Sequence, residues 1–408
     1  MIYRPKIAIV SPFLDKRHGT ERCVAEQIER LWDDYEVHIY STDVRDLDLA
    51  RVTWHKTGLR IKPHLLAYIC FLFANHMSRF CDKRFRDLDF DIIFSPGINC
   101  FDADIIAVHI IFAEYVRLAR RDLSFSRNRF GTWLRLMHRR ISYSLFIALE
   151  RYIYTKRRIP LILISHKMEE DLERSFQRTD NLRLLYHGID PLHMNPERRI
   201  LLRGGSRAQL GIPEDIFAIL LIGNDWKKKG LFTLLEAVSS LERPRLWVLV
   251  RGADGSTSCE PTIRRFGLEG RVIFLESIPE IDSYYAASDL YICASLEDSF
   301  AIPPLEAMAC GLPVIVSARA GVSELIVHGE NGLILEDPTD VRVLASLIGK
   351  CYENAGMCGE IGLRAAATAR EYTWQRNGDK LKRIIDELLE HKTGSVLSGK
   401  LITDKSHE

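Results

Sequence analysis

Short apolar runs recur along the whole chain and alternate with segments whose apolar residues have helical spacing. The runs that predict strands are 6–10, 37–40, 92–95, 105–109, 161–165, 217–222, 246–250, 272–275, 290–294, 314–316 and 333–335. Strands buried on both faces read as continuous apolar runs, and parallel pairing of such strands needs helices between them. The pattern therefore predicts an α/β fold in which parallel sheets are covered by helices.

The chain becomes polar and rich in proline and glycine near residues 186–206. A length of 408 residues exceeds that of one ordinary α/β domain, so we expect two domains divided at this stretch. We predict an N-terminal domain over 1–190 and a C-terminal domain over 191–373. A helix over 374–392 is expected to close the fold, and 393–408 to form a polar, mobile tail.

Two acids and a helix start lie close together in the segment 295–314. Asp298 follows the predicted strand 290–294, and Glu306 falls in the first turn of a helix that Pro303 and Pro304 suit as an entry. Ionised carboxylates accept hydrogen bonds, so we expect Glu306 to bind ribose hydroxyls and Asp298 to bind the transferred sugar. Backbone amides at the positive end of the helix would hold a phosphate or a hydroxyl, and they belong to Ser299, Phe300, Ala301 and Ile302.

This segment resembles the signature of the retaining GT-B glycosyltransferases of family 4, the glycosyl transferases group 1. In that signature an acid and seven further residues precede a glutamate that continues as E-A-M-A-C-G-x-P-V. The resemblance implies two Rossmann-like, doubly wound parallel-sheet domains that face a cleft, with the N-terminal domain on the acceptor side and the C-terminal domain binding the nucleotide sugar. The chain departs from the signature where Asp298 replaces glutamate, with Glu297 as a rival acid, and where Ser299 and Ala301 replace glycine. Alanine resists the positive φ that glycine allows, so we expect Ala301 to change the loop in detail.

Two further segments resemble phosphate-binding parts of the same family. His18 and Gly19 stand where the family has a glycine loop between its first strand and helix, and Gly19 would let backbone approach the donor phosphates. The segment 223–230 resembles the family's phosphate-gripping loop, with Lys229 at the position of its lysine. Asn224 stands where the family often has arginine, so one customary cation is missing there.

His109 ends the predicted strand 105–109 and resembles the family's histidine near the transferred sugar. The resemblance implies a hydrogen bond to a sugar hydroxyl or a role in positioning the acceptor, although a single histidine at a strand end is often structural. A fixed ammonium group and helix N-termini beside the leaving phosphates would stabilise the developing charge. We therefore expect neither a metal nor another cofactor.

Composition limits the classes of partner and the compartment. Lys+Arg 56 against Asp+Glu 55 gives a net charge of +1, so no nucleic-acid partner is expected. Nine cysteines without a C-x-x-C pair indicate neither a disulfide framework nor a zinc ribbon, and reduced thiols fit the cytoplasm. The longest apolar run, 65–74, is about half of a membrane span, and no secretory signal is apparent.

The segment 117–158 is strongly basic, with twelve Lys and Arg residues against Asp122 and Glu150. Aromatic and aliphatic residues lie between the cations, which suggests an amphipathic surface that binds anionic lipid on the cytoplasmic face of a membrane. The alternative is an ordinary core stripe with a solvated, cationic side.

Together these features favour a retaining transferase that moves a hexose-type sugar from a nucleotide diphosphate sugar to a glycan or lipid-linked acceptor. UDP is favoured over GDP, and the product would belong to cell-envelope polysaccharide, lipopolysaccharide or glycolipid. The expected catalytic residues are His109, Lys229, Asp298 and Glu306. Two alternatives stay open: a sugar-nucleotide epimerase or phosphorylase on the same architecture, and a nucleotide-sugar-binding partner without turnover.

Overall fold

The computed structural model describes residues 3–17, 19–59, 61–118, 130–156, 159–276 and 280–403 of the chain. The chain divides into two compact units, each with its own parallel sheet. Unit 1 comprises Met1–Tyr186 and Trp374–Glu408, and unit 2 comprises His187–Thr373.

Unit 1 is a parallel sheet with helices between its strands. The strands are β1 (Lys6–Val10), β2 (Phe13–Leu14), β3 (Glu36–Ser41), β4 (Asp43–Val44), β5 (Thr53–Lys56), β6 (Ile92–Pro96), β7 (Ile105–Val108), β8 (Leu161–Leu163) and β9 (Leu182–Leu184). The helices are α1 (Gly19–Leu31), α2 (His64–Arg86), α3 (Phe112–Leu118), α4 (Phe130–Arg151) and α5 (Lys167–Phe176), and a π-helical segment, Tyr152–Lys156, follows α4. The seven-stranded sheet has the order β5-β3-β1-β6-β7-β8-β9, and β2 pairs with β4 separately.

Unit 2 repeats this plan with six strands. They are β10 (Phe217–Ile222), β11 (Leu246–Arg251), β12 (Val272–Leu275), β13 (Leu290–Cys293), β14 (Val314–Ser317) and β15 (Leu333–Leu335). The helices are α6 (Pro196–Gln209), α7 (Leu231–Ser240), α8 (Glu260–Arg265), α9 (Asp282–Ala287), α10 (Ile302–Ala309), α11 (Val341–Glu353) and α12 (Ala355–Ala369). The sheet order β12-β11-β10-β13-β14-β15 is that of a doubly wound sheet, with its switch point between β10 and β13.

The strands form where the apolar runs of the sequence lie. In β10 the sequence FAILLI is buried from Ala218 to Ile222, and all four residues of β13 and of β14 are buried. Burial of both faces leaves no polar alternation, which is why these strands read as uninterrupted apolar runs. Each predicted strand has a counterpart, and the predicted α/β class with two doubly wound parallel sheets is confirmed.

The last helix, α13 (Trp374–Thr403), belongs to unit 1. Leu381, Ile384 and Ile385 are buried in the unit 1 core, and Asn377 accepts a 3.1 Å hydrogen bond from Gln27 of α1. The helix is longer than predicted, because residues 393–403 continue it where a polar tail was expected. Residues 404–408 lie outside the described residues.

The division between the units lies at 186/187, four residues before the predicted one. Ile189 is fully buried in unit 2, and its amide donates a 2.9 Å hydrogen bond to Tyr372 O. The residues that follow Tyr186 therefore already pack with unit 2.

Within the described part of the chain, no helix combines the length and the apolar character that crossing a bilayer requires. The nine cysteines all lie in that part, and none of them is in a disulfide.

Candidate functional site

Two loops meet at the switch point of the unit 2 sheet. β10 and β13 are adjacent parallel strands, so the loops that leave their carboxyl ends lie at the same edge of the sheet. The first loop runs from Gly223 to Gly230 and the second from Ala294 to Ala301. Ligands of doubly wound sheets bind outside the carboxyl ends of the strands at this point. Seven of the ten predicted site residues lie in these two loops or directly after them, and an eighth, Glu306, follows in α10.

Lys229 and Asp298, one from each loop, form a salt bridge. The Lys229 side chain passes beneath Gly223, where a Cβ atom would lie 2.8 Å from Lys229 Cε, so only glycine leaves room for it. Burial disfavours the ammonium form, but the charge and hydrogen bond of Asp298 outweigh burial, and the pKa of Lys229 is raised. Lys229 is therefore a fixed, permanently charged cation at neutral pH.

Gly230 sets the distance between the two loops. It has φ 77°, and a Cβ atom there would lie 2.0 Å from the carbonyl oxygen of Ala294. The two loops are also joined by a 2.7 Å hydrogen bond from the Leu296 amide to Lys228 O. Backbone contact of this kind fixes the position of Lys229 relative to Asp298.

The loop after Asp298 differs from the prediction at two positions. We expected the Phe300 amide to bind ligand, but it donates a 3.3 Å hydrogen bond to Asp298 Oδ1. Ala301 adopts φ 69° and ψ 100° in spite of its Cβ atom, so the strained backbone is kept where we expected a changed loop. Within the described residues, the amides of Ala301 and Ile302 donate no hydrogen bond, as is usual at a helix start.

Phe300 fixes the loop through contacts with two other parts of unit 2. It is 1% exposed and meets the His187 ring edge-on, with the ring centroids 5.1 Å apart at 90°. The Val322 amide donates a 2.8 Å hydrogen bond to Phe300 O on the other side of the residue. Phe300 thus positions the loop through its side chain and its carbonyl group.

Glu306 lies in the second turn of α10, because the helix begins at Ile302; the prediction of a first-turn position is wrong by one residue. Its side chain is 1% exposed, and Oε2 accepts a 2.7 Å hydrogen bond from the Tyr285 hydroxyl. Tyr285 is itself fully buried on α9. Sequence analysis missed Tyr285, since nothing in its short helix distinguishes it from other core aromatic residues.

Asn224 joins the β10 loop to the loop after β11. Its Oδ1 accepts a 2.8 Å hydrogen bond from the Ala253 amide, and Trp226 N donates to Asp254 Oδ2 at 2.9 Å. At Gly252, a Cβ atom would lie 2.3 Å from Gly223 O, so the backbones of the two loops touch. The predicted donor-binding role of Asn224 must therefore use its side-chain nitrogen or its backbone.

The remaining two predicted residues belong to unit 1. Gly19 is the first residue of α1 and is exposed, with no atom within 4 Å of the place where a Cβ would be. His109 directly follows β7 and is half-buried, and desolvation lowers the pKa of His109 to about 4. Its imidazole is therefore neutral at physiological pH. His18, the other member of the predicted glycine loop, lies outside the described residues.

Residues 203–368 match the family described as Glycosyl transferases group 1, so the match contains both loops of the switch point. The chain carries a glycosyl transferases group 1 domain. The predicted recognition of this group is confirmed, whereas the assignment to family 4 stays a prediction.

Two curated relatives agree with this result. The chain is 29% identical over 206 residues to the D-inositol 3-phosphate glycosyltransferase of Arthrobacter sp. (strain FB24), a match that covers 48% of each chain. It is 25% identical over 282 residues to the lipopolysaccharide glucosyltransferase WaaG of Escherichia coli (strain K12), covering 68% of this chain and 70% of WaaG. Matches to the inositol phosphate enzymes thus span only about half of their length.

Three solved structures share the fold over nearly the whole chain. The crystal structure of WaaG superposes with a TM-score of 0.77 at 18% identity, covering 93% of this chain and 99% of WaaG. Sucrose-phosphate synthase from Thermosynechococcus elongatus gives 0.76 at 19% identity, with 95% and 100% covered. Anabaena HepE, in complex with UDP and glucose, gives 0.70 at 18% identity, with 94% and 100% covered. The fold is therefore the GT-B fold of such glycosyltransferases.

Proposed function

We propose that this protein is a retaining glycosyltransferase that transfers a hexose-type sugar from a nucleotide diphosphate sugar to a glycan or lipid-linked acceptor. The observation that carries the proposal is the salt bridge of Lys229 and Asp298 at the switch point of the group 1 domain. It provides a fixed ammonium group and a carboxylate at the edge of the sheet where doubly wound folds bind nucleotides.

Lys229 would stabilise the leaving diphosphate. An ammonium group has three donors, so Lys229 can keep its bond to Asp298 while it donates to a phosphate oxygen. At ~4 Å and an effective dielectric constant near 20, the attraction between one such pair of charges is about 4 kcal/mol before solvation is counted. The amides of Ala301 and Ile302 at the start of α10 would add further donors. With this arrangement we propose transfer without a metal or another cofactor.

The other residues would orient the two substrates. Glu306, held by the Tyr285 hydroxyl, would accept hydrogen bonds from ribose hydroxyls, and Asp298 would do so from the transferred sugar. A neutral His109 can donate from one ring nitrogen and accept at the other, which suits a sugar hydroxyl. A UDP-sugar is the favoured donor because HepE, which has the same fold, binds UDP and glucose; a GDP-sugar is the alternative.

We place the reaction at an anionic membrane surface on the cytoplasmic side, in the synthesis of envelope polysaccharide, lipopolysaccharide or glycolipid. WaaG, to which 68% of this chain is similar in sequence, is a lipopolysaccharide glucosyltransferase. The only acids of α2 and α4 are Asp82 and Glu150, and both are buried, at 3% and 0% exposure. The described exposed side of these helices therefore offers cations and apolar groups but no carboxylate.

The outer face of α2 is unusually apolar. Phe73, Met77 and Phe80 follow the spacing i, i+4, i+7 and are 64%, 58% and 61% exposed. Lys83, Arg84 and Arg86 extend from the next turn, and Leu66 continues the stripe on the other side. Soluble proteins seldom expose such a stripe, whereas apolar residues beside cations bind anionic lipid. Residues 119–129 and 157–158 of the basic segment named above lie outside the described residues.

Cosedimentation with vesicles tests the membrane partner. Phe73→Ser/Phe80→Ser should reduce binding to vesicles with anionic lipid by about a hundredfold or more, because each phenylalanine loses roughly 1.5 kcal/mol or more of burial. The matched control, Ile200→Ser/Leu201→Ser, changes two exposed apolar residues of unit 2. Equal losses for both variants would contradict the membrane surface proposed for α2. Binding that does not depend on lipid charge would contradict the proposal that the membrane is anionic.

Thermal shift with a panel of nucleotides and sugar nucleotides, followed by a transfer assay, tests the donor site. A ligand at about 100 times its Kd stabilises the folded state by about 2.7 kcal/mol. Glu306→Ala and Asp298→Ala should lose this shift and turnover, and Glu297→Ala, a neighbouring acid, should keep both. If Glu297→Ala is inactive while Asp298→Ala is active, the site assignment is wrong.

The same assays separate the two alternatives. Nucleotide binding without transfer to any acceptor would indicate the binding partner without turnover, to which the replacements at Asp298, Ala301 and Asn224 point. An isomerised sugar nucleotide or phosphorolysis of a glycan would indicate an epimerase or a phosphorylase.

A further inference from the structure

Unit 1 contains a cavity of about 200 Å³ at the carboxyl ends of β6 and β7. Its wall includes Tyr68 from α2, Phe112 from α3, Phe146 from α4 and the backbone at Gly97 and Ile98 after β6. Strand ends at this edge of a doubly wound sheet are where ligands bind. The cavity therefore has the position of a ligand site as well as the size of one.

Three polar groups at the wall are bonded to the protein. The Tyr68 hydroxyl donates a 2.5 Å hydrogen bond to Ile98 O, and Asn99 Nδ2 donates to Pro96 O at 2.7 Å. The Phe112 amide donates to Glu150 Oε1 at 2.7 Å. Groups already paired in this way offer little to a polar ligand, so these residues present mainly ring faces and carbon atoms to the cavity.

The rings form one packed cluster. Phe146 lies at its centre. The centroid of its ring is 4.7 Å from that of Phe112, with the ring planes tilted by 35°, and 5.0 Å from that of Tyr68 in an edge-to-face contact. Tyr154, which is 1% exposed, joins the wall from the π-helical segment that follows α4. Single π-helical turns change the phase of a helix and occur frequently at functional sites. Here the turn brings Tyr154 to the wall of the cavity.

The wall of the cavity also limits the charge that a ligand can carry. His109 lines the cavity, and its imidazole is neutral at physiological pH because desolvation lowers its pKa to about 4. Among the described residues that form the wall there is no Lys, Arg, Asp or Glu. A charged group would lose its hydration here without gaining a partner of opposite charge.

We propose that this cavity binds an uncharged alkyl or aryl group, the apolar part of the acceptor, beside His109. A dry apolar cavity of about 150 Å³ accommodates a benzene ring, so this one has room for a ring or a chain of about six carbons. The assignment of that group to the acceptor rests on the proposed function. The cavity itself is a property of unit 1 alone.

Calorimetric titration of the full chain with n-hexyl β-D-glucoside and with methyl β-D-glucoside tests the inference, because the two probes differ only in the alkyl group. Burial of about five additional methylene groups predicts a dissociation constant at least about a hundredfold lower for the hexyl compound. Phe146→Trp places a larger ring in the cavity, which shortens the space for an alkyl chain, and should sharply reduce the difference. Ile110→Trp, on the cavity wall and 38% exposed, provides a second filling variant if Phe146→Trp does not fold. Leu59→Trp is the matched control, 65% exposed and away from the wall.

Equal affinity for the two glucosides in the wild type would overturn the inference, as would a preference that both filling variants keep. A loss of the same size in Leu59→Trp would also overturn it, because hexyl binding would then be unspecific adhesion. UDP thermal shift on the same samples keeps this outcome apart from the proposed function. Donor binding without an alkyl preference rejects only the cavity, and an alkyl preference without any sugar transfer rejects only the transferase.

Discussion

Glu150 provides a direct test of the electrostatics of unit 1. Its carboxylate is fully buried at the end of α4 and accepts hydrogen bonds from the amides of Phe112 at 2.7 Å and Ala113 at 3.2 Å. Burial disfavours the charged form more than the two amides favour it, so the pKa of Glu150 is raised to about 8. The residue therefore holds a proton in the folded protein at neutral pH that the unfolded chain does not hold.

The sign of the pH dependence follows from this difference. Between the unfolded pKa of about 4.5 and the folded pKa of about 8, the folded state binds one proton more than the unfolded state, so stability falls as pH rises. The slope for one proton is about 1.4 kcal/mol per pH unit. From pH 6.0 to pH 7.5 the wild type should lose about 2 kcal/mol that Glu150→Gln, which cannot titrate, does not lose. For a domain of this size the difference is roughly 4 to 8 °C in melting temperature.

Scanning calorimetry of both proteins at several pH values between 5.5 and 8.5 measures this difference. The comparison isolates Glu150, because every other titrating group is common to the two proteins. Glutamine has a single oxygen acceptor and weakens one of the two amide contacts, which shifts the variant by a constant amount at all pH values. If the melting temperatures of the two proteins change with pH in parallel over this range, Glu150 is already ionised in the folded state, and the argument is refuted.

Three further outcomes are expected in unit 2. Ala301→Gly should raise the free energy of unfolding by ~1 kcal/mol in urea titrations, since glycine relieves the strain at φ 69°; a less stable variant would contradict this. Lys229→Ala should weaken binding of UDP more than binding of uridine in calorimetric titrations, and equal losses would count against its phosphate role. Gly230→Ala should lower stability by ~2 kcal/mol or more, because its Cβ would lie 2.0 Å from Ala294 O; a wild-type melting curve would show that the two loops can separate.

The sequence predicts the buried strands well and the edge strands poorly. The central strand β10 is an apolar run because both of its faces are covered, and its predicted bounds agree with the structure. The edge strand β5, with the sequence TWHK, is half-exposed and has no apolar run, so it was missed. The edge strand β9 and the two-residue strands β2 and β4 were missed for the same kind of reason. Apolar content reports burial, and it identifies strands only where strands are buried.

The sequence predicted which residues belong to the candidate site but not which of them contact each other. Lys229 and Asp298 are 69 positions apart, and their meeting depends on β10 lying next to β13, which the local sequence does not encode. The bond between Glu306 and Tyr285 depends in the same way on how α9 packs against α10. At Ala301 local preference gave the wrong expectation, because the hydrogen bonds of Phe300 on one side and the start of α10 on the other hold the backbone at positive φ.

Unit 1 is built from two segments that are separated by the whole of unit 2, and this has a consequence for biosynthesis. The first 186 residues leave the ribosome long before Leu381, Ile384 and Ile385, which complete their core. Unit 2 is continuous and can finish folding before α13 has been synthesised, whereas unit 1 cannot complete its core until α13 has left the ribosome. During that interval the surface that later receives α13 is open to chaperones, so premature stop codons before residue 374 would yield an incomplete first unit beside an intact second one.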